Sequence, residues 1–310
     1  MIDRNDPRYV KAVIEQWPKP EDPKEQMIVS KIKRELFSTE WAKYTFDRLR
    51  RMQVYHMKDL LSHLQDPQYI HDRTQELLVQ IAEVVNSKIV EGEKNIDSLH
   101  KEKGLLIATN HLGSYKLNSL NPVELRGMGI DGPTLPIYYP FPLYFASMSP
   151  VAEKLECNLY EASFEYPGRI GEIYGATGSI EVPPPLQNES GEKLKRTEIL
   201  INSTKLLLNK HPNAAIVSFP EGGTTGKRNG KGPYDMEPFR SGSFVIAAEA
   251  GIPVLPVAQY FNPDRGFELN VFSPVFPEAG KSEEYYKEIA KISSDQMQIW
   301  LDKCIGRKVA

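Results

Sequence analysis

From Gly104 onward short apolar runs alternate with stretches of helical periodicity, and no other property of the chain constrains its fold as strongly. Residues 105–109, 134–139, 214–219, 253–258 and 269–272 have the apolar and β-branched content of buried strands. Helical stretches at about 142–156, 197–210, 242–250 and 282–303 separate them. A chain that alternates in this way is expected to be α/β, with a largely parallel sheet flanked by helices. With 310 residues and 40% hydrophobic content there is enough apolar side chain to bury a sizeable core. One stretch breaks the rhythm. Residues 166–195 hold three consecutive prolines at 183–185 and a polar run, and read as a long surface excursion.

Ahead of this alternation, residues 1–103 are helical in pattern and strongly charged. Ser38 and Thr39 are placed to cap a helix running to about Gln65, with Trp41, Tyr44, Leu49, Met52, Leu60 and Leu64 among apolar positions mostly three and four residues apart. Asp66 and Pro67 break it, and a second helix is expected from Pro67 to Val90, with Leu77, Leu78, Ile81, Val84, Val85 and Ile89 on one stripe. The expected organisation is an N-terminal helical unit over 1–103 and an α/β domain over 104–310.

Charge narrows the partners. Lys and Arg total 38 against 41 Asp and Glu, a formal net charge of -3, so nothing global favours nucleic acid and an anionic partner must be met locally. The two cysteines, Cys157 and Cys304, have no metal-ligand spacing and are expected as free thiols. No run approaches the roughly 18–20 apolar residues a bilayer span requires, and the first residues lack an apolar stretch. The expectation is a cytoplasmic protein, at most peripheral to a membrane.

In a parallel α/β sheet, ligands collect beyond the carboxyl ends of strands. Two short segments fall there: Asn110-His111-Leu112-Gly113-Ser114-Tyr115-Lys116, just past the run 105–109, and Phe219-Pro220-Glu221-Gly222, just past 214–219. A lone histidine is often only a loop or cap residue. His111 stands out because small residues follow it and a second strand-end segment can pair with it. The glycine-rich stretch 222–227 does not make a nucleotide loop: it is one residue short between glycines, and Arg228 stands where a magnesium-binding Ser or Thr belongs. The aromatic series Tyr138, Tyr139, Phe141, Tyr144 and Phe145 suits either core packing or an acyl-chain groove.

The order Asn110-His111, then Phe219-Pro220-Glu221-Gly222-Gly223-Thr224, then Phe239-Arg240-Ser241-Gly242, then Gly251-Ile252-Pro253-Val254-Leu255-Pro256-Val257 resembles the glycerolipid acyltransferase family, which includes lysophosphatidic acid and glycerol-3-phosphate acyltransferases. The resemblance covers roughly half the chain. It implies a glycerolipid-acyltransferase-like fold and transfer of a fatty acyl group from an acyl-CoA or acyl-carrier-protein thioester to a hydroxyl or amine acceptor. His111 would be the general base and Glu221 its catalytic companion, with Asn110, Ser114, Lys116, Gly222, Thr224, Lys227, Arg228 and Arg240 as substrate contacts. No metal and no tightly bound cofactor are implied. The chemistry is plausible on physical grounds: a thioester is already electrophilic, so the enzyme must mainly deprotonate the acceptor and hold two substrates together.

Three departures from the family pattern carry information. Family members place an aspartate one helical turn beyond the histidine, where it orients the imidazole and stabilises the imidazolium; here that position is Lys116. A charged lysine cannot accept the ring proton, and it disfavours imidazolium. The Thr-Arg that follows Phe-Pro-Glu-Gly in the family is replaced by Gly223-Thr224-Thr225-Gly226 before Lys227 and Arg228. A further family arginine has no counterpart near Gly178-Ser179-Ile180-Glu181-Val182. Lys227, Arg228, Lys231 and Arg240 would leave a diffuse cationic rim instead. The reading is an acyltransferase with an unusual acceptor. The rival readings are a non-catalytic subunit binding acyl chains or acyl carrier protein, and a thioester or ester hydrolase. Basic clusters at 31–34 and 48–51 would suit an acyl carrier protein or an anionic membrane surface, or be simply a solvated helix face.

Overall fold

The computed structural model describes residues 38–99, 103–112, 115–120, 135–139, 143–164, 175–182, 196–223, 225–226, 228–229 and 231–308. Helix α1 (Glu40–Ser62) starts where the sequence places it: extended Thr39 turns its hydroxyl to accept the Ala42 N–H at 3.2 Å. Helix α2 (Pro67–Val84) is capped by the Asp66 carboxylate on the Tyr69 N–H, with Pro67 where no N–H is needed.

The expected extension of α2 to Val90 does not form. Adjacent β-branched Val84 and Val85 weaken the last turn, and Asn86 adopts a left-handed φ of 48°, which asparagine tolerates better than most residues. The chain then enters strand β1 (Lys88–Glu91), and a 3-10 turn follows at Glu93–Asn95. The helix expected at 142–156 is likewise divided, into α3 (Leu143–Ala146) and α4 (Ser149–Leu155), with Pro150 in the first turn of α4.

The main sheet comprises β1, β2 (Leu105–Thr109), β5 (Leu159–Phe164), β6 (Ile180–Val182), β7 (Ala215–Ser218), β8 (Val254–Asn262) and β9 (Gly266–Val271), in the order β1-β9-β8-β2-β7-β5-β6. All neighbours are parallel except the β8–β9 hairpin. The largely parallel expectation is met. β2 is buried along its whole length, as a central strand covered on both faces must be. Strands β5 and β6 were not legible as apolar runs, and β6 lies within the stretch expected to be a surface excursion. The run at 134–139 does form β4 (Leu135–Tyr139), but it pairs antiparallel with β3 (Tyr115–Leu120) in a separate two-stranded sheet.

Helices α5 (Arg196–Lys210), α6 (Gly242–Ala250) and α7 (Glu283–Cys304) follow the expected limits closely. The N-terminal helices are tied to the sheet by specific bonds. Thr39 Oγ1 donates to the Pro263 carbonyl at the β8–β9 turn, and Gln75 both donates to and accepts from the main chain of Leu159 at the start of β5. Cys157 and Cys304 are free thiols, each pushed up to about 12 chiefly by burial.

Candidate active site

β2 pairs with β7 up to Ala108–Ser218 and with β8 up to Thr109–Val257, so Asn110 and Phe219 both leave the sheet at its carboxyl edge. Asn110 is wholly buried and continues the pairing with its side chain: Oδ1 accepts the Gln259 N–H at 2.8 Å, and Nδ2 donates to the Gln259 carbonyl at 3.0 Å. The half-buried His111 ring stands edge-on to Phe219 with centroids 4.9 Å apart. The His111 N–H reaches Thr225 Oγ1 at 3.0 Å and Glu221 Oε1 at 3.4 Å, and the Thr225 N–H donates to the His111 carbonyl at 2.8 Å. The two motif segments, 110 residues apart in sequence, are thereby joined through the main chain of the histidine.

Glu221 is 1% exposed. Its Oε1 also accepts the Thr225 hydroxyl at 2.5 Å, and its Oε2 accepts the Glu237 N–H at 2.8 Å. Burial pushes this carboxyl up to about 7, against the pull of those three donors. The carboxylate thus works as a hub that pins the loop 220–225, residue 237 and the His111 peptide to one another.

Gly222 has a φ of +70°, and a Cβ there would lie 2.8 Å from Cζ of Arg240. Only glycine lets the guanidinium settle over this turn. The Arg240 N–H donates to the Pro220 carbonyl at 3.0 Å, which fixes residue 240 beside the loop, and Arg228 Nη2 donates to the Gly222 carbonyl at 3.1 Å. Burial, then the like charges of Arg228 and Arg196, hold the Arg240 guanidinium below its ordinary value. Burial does the same to Arg196, at the start of α5. Arg228 and Arg240 therefore meet at the exposed turn at Gly222, with Arg196 near enough to Arg240 to act on its charge, an arrangement that favours an anion.

Asn110, His111, Glu221, Gly222, Arg228 and Arg240 are thus brought together, whereas Ser114, Thr224 and Lys227 lie outside the described residues. Lys231 is exposed further along the same loop. Lys116 is on β3 opposite Tyr138, and its side chain lies outside the described residues. The position where the family carries its aspartate is here on a strand, not one helical turn beyond His111. Tyr115 and Leu117 alternate with Lys116 and Asn118, a period that suits a strand and not a helix. Of the aromatic series, Phe145 is a core residue at 4% exposure, and the other four side chains lie outside the described residues. The sequence reading missed Thr225, Gln259 and Arg196. Gln259 carried a signal, since it is a polar residue in a run otherwise buried on both faces. Among the described residues no cluster of His, Cys, Asp or Glu could hold a metal ion, and no helix is long and apolar enough to cross a membrane.

Residues 169–260 match the family model described as Acyltransferase. That match spans less than a third of the chain. The matched span holds Glu221, Gly222, Arg240 and Gln259, while Asn110 and His111 precede it. The chain is also similar to the crystal structure of the 1-acyl-sn-glycerophosphate (LPA) acyltransferase PlsC from Thermotoga maritima, with a TM-score of 0.41 and 12% identity over 96% of this chain and 98% of that one. No curated protein matches it.

Proposed function

We propose that this protein is an acyltransferase that moves a fatty acyl group from an acyl-CoA or acyl-carrier-protein thioester to an acceptor hydroxyl or amine, with His111 as general base. The observation that supports it most directly is the fixed peptide of His111 at the carboxyl edge of β2, beside the arginine-ringed turn at Gly222. The imidazole takes the acceptor proton as the acceptor attacks the thioester carbonyl. The tetrahedral intermediate then collapses with loss of the thiolate, which recovers the proton from the imidazolium. An anionic group on the acceptor is held against Arg240, Arg228 and Arg196. Lys116 in the aspartate's place argues for an acceptor other than plain lysophosphatidic acid. The protein acts in the cytoplasm or on a membrane surface, without a bound cofactor.

Thiol release from long-chain acyl-CoA, followed with and without candidate acceptors, tests the reading. Release that requires an acceptor is expected, and His111→Ala should lower it by about 10²–10⁴-fold, the range of general base catalysis. Release without an acceptor would instead mean hydrolysis, and none with any donor would mean a binding role. Transfer that survives His111→Ala would remove the histidine from the mechanism. Lys116→Asp should not raise transfer to a lysophospholipid, because the residue sits on a strand and not on a helical turn beyond the histidine. A large gain would identify the site as a decayed form of the family's.

A further inference from the structure

Asn110 and Gln259 exchange bonds in both directions. The Asn110 side chain takes the main-chain N–H and C=O of Gln259, while the Gln259 side chain reaches the main chain of Asn110, with Nε2 2.7 Å from the Asn110 carbonyl oxygen. Nε2 also lies 3.3 Å from Thr109 Oγ1. The orientation of the glutamine amide is fixed by Ser147, in the turn between α3 and α4, whose hydroxyl donates to Oε1 at 3.0 Å. Asn110, Thr109, Ser147 and Gln259 are all without exposure to solvent. A polar set that is buried and fully paired holds a single geometry, because leaving any member unpaired costs the full desolvation of that group.

The carbonyl held by Gln259 and the N–H held by Thr225 belong to the same peptide unit, the one joining Asn110 to His111. Rotation of that unit would swing the histidine side chain relative to the turn at Gly222. We infer that Gln259 is a positioning residue for acyl transfer, fixing from β8 the peptide plane that aims the His111 imidazole at the acceptor. The inference rests on His111 being the base. Gln259 touches neither substrate in this role, so its loss should be felt in turnover and not in donor binding.

The experiment compares Gln259→Leu, Gln259→Glu and His111→Ala in the full chain, reading kcat, KM for acyl-CoA, the pH dependence of kcat and thermal unfolding. Gln259→Leu, folded, should lose about 30-fold or more in kcat with KM changed by no more than about threefold, in line with the cost of an ångström-scale misplacement. Gln259→Glu keeps the length and the bond from Ser147 but donates to the Asn110 carbonyl only when protonated. Its kcat relative to the natural chain should therefore rise as pH is lowered from about 8 to 6, because only the protonated carboxyl donates and burial favours that form. A folded Gln259→Leu with kcat within about twofold of the natural chain overturns the inference. If that variant does not fold, a pH-independent ratio for Gln259→Glu overturns it. Should His111→Ala keep its activity, the base assignment fails. Loss in His111→Ala with full activity in Gln259→Leu would sink the positioning role alone.

Discussion

At the scale of single residues, the role of Glu221 separates two kinds of importance. Its carboxylate is occupied by the Thr225 hydroxyl, the Glu237 N–H and, at longer range, the His111 N–H. Glu221→Gln keeps an acceptor for the Glu237 N–H, and its amide can donate to Thr225 Oγ1. That variant should retain kcat within about tenfold. Glu221→Ala leaves the Glu237 N–H and the Thr225 hydroxyl buried without partners, which should destabilise the fold by about 2–4 kcal/mol and collapse turnover. Steady-state kinetics beside denaturant unfolding checks both; a Glu221→Gln variant as inactive as His111→Ala would mean that the carboxyl itself transfers protons. The Phe219-Pro220-Glu221-Gly222 motif made this residue conspicuous in sequence. Its partners were not, because two of the three are main-chain amides whose proximity depends on how distant loops return to the strand ends.

At the scale of elements, the junction between α2 and the β8–β9 hairpin is set by close approach. Gly266 has a φ of +97°, and a Cβ there would lie 2.1 Å from the Val85 carbonyl oxygen and 2.9 Å from that of Asn86. Asn86 Nδ2 donates to the Arg265 carbonyl at 2.6 Å, and the Phe267 N–H to that of Val85 at 3.3 Å. The end of α2 thus hands the chain directly to β1 at the sheet edge. Gly266→Ala should cost about 1–3 kcal/mol through the strained conformation alone, with the clash adding to it, and should lower the denaturant midpoint. A midpoint equal to that of the natural chain would show that the hairpin does not pack against α2 in this way. Sequence periodicity marked α1, α5, α6 and α7 well because each carries whole turns of a helical repeat between clear stops. It overran α2 because Ile89 continues the apolar stripe while its main chain pairs with Leu269. It passed over β5 because Glu161 interrupts the apolar run.

At the scale of the whole molecule, two buried carboxyls give stability an unusual pH dependence. Glu161 on β5 and Glu221 are both pushed from 4.5 up to about 7, each chiefly by burial. Raised values mean that the folded protein binds these protons more tightly than the unfolded chain. Below about 4.5 both states are protonated and stability is unaffected. Between 4.5 and about 7 the unfolded chain releases protons that the folded one keeps, so stability falls as pH rises, by roughly 3 kcal/mol for a group shifted this far. Glu161→Gln should flatten that segment, which unfolding free energies measured across pH 4–8 would detect. Equal slopes for the two proteins would show that Glu161 is ionised in the fold.

Most of the helices, the central strands, the order of the motifs and the address of His111 can be read from the residues alone, because periodicity, capping and strand-end placement are local properties of the chain. The strand order, the strand at Lys116, the approach of Arg196 and Arg228 to Arg240, and the exchange of bonds between Asn110 and Gln259 emerge only from packing. Those depend on pairings between distant segments, such as Asn110 and Gln259, 149 residues apart, and a buried polar group finds its partner only once the strands that carry both have packed.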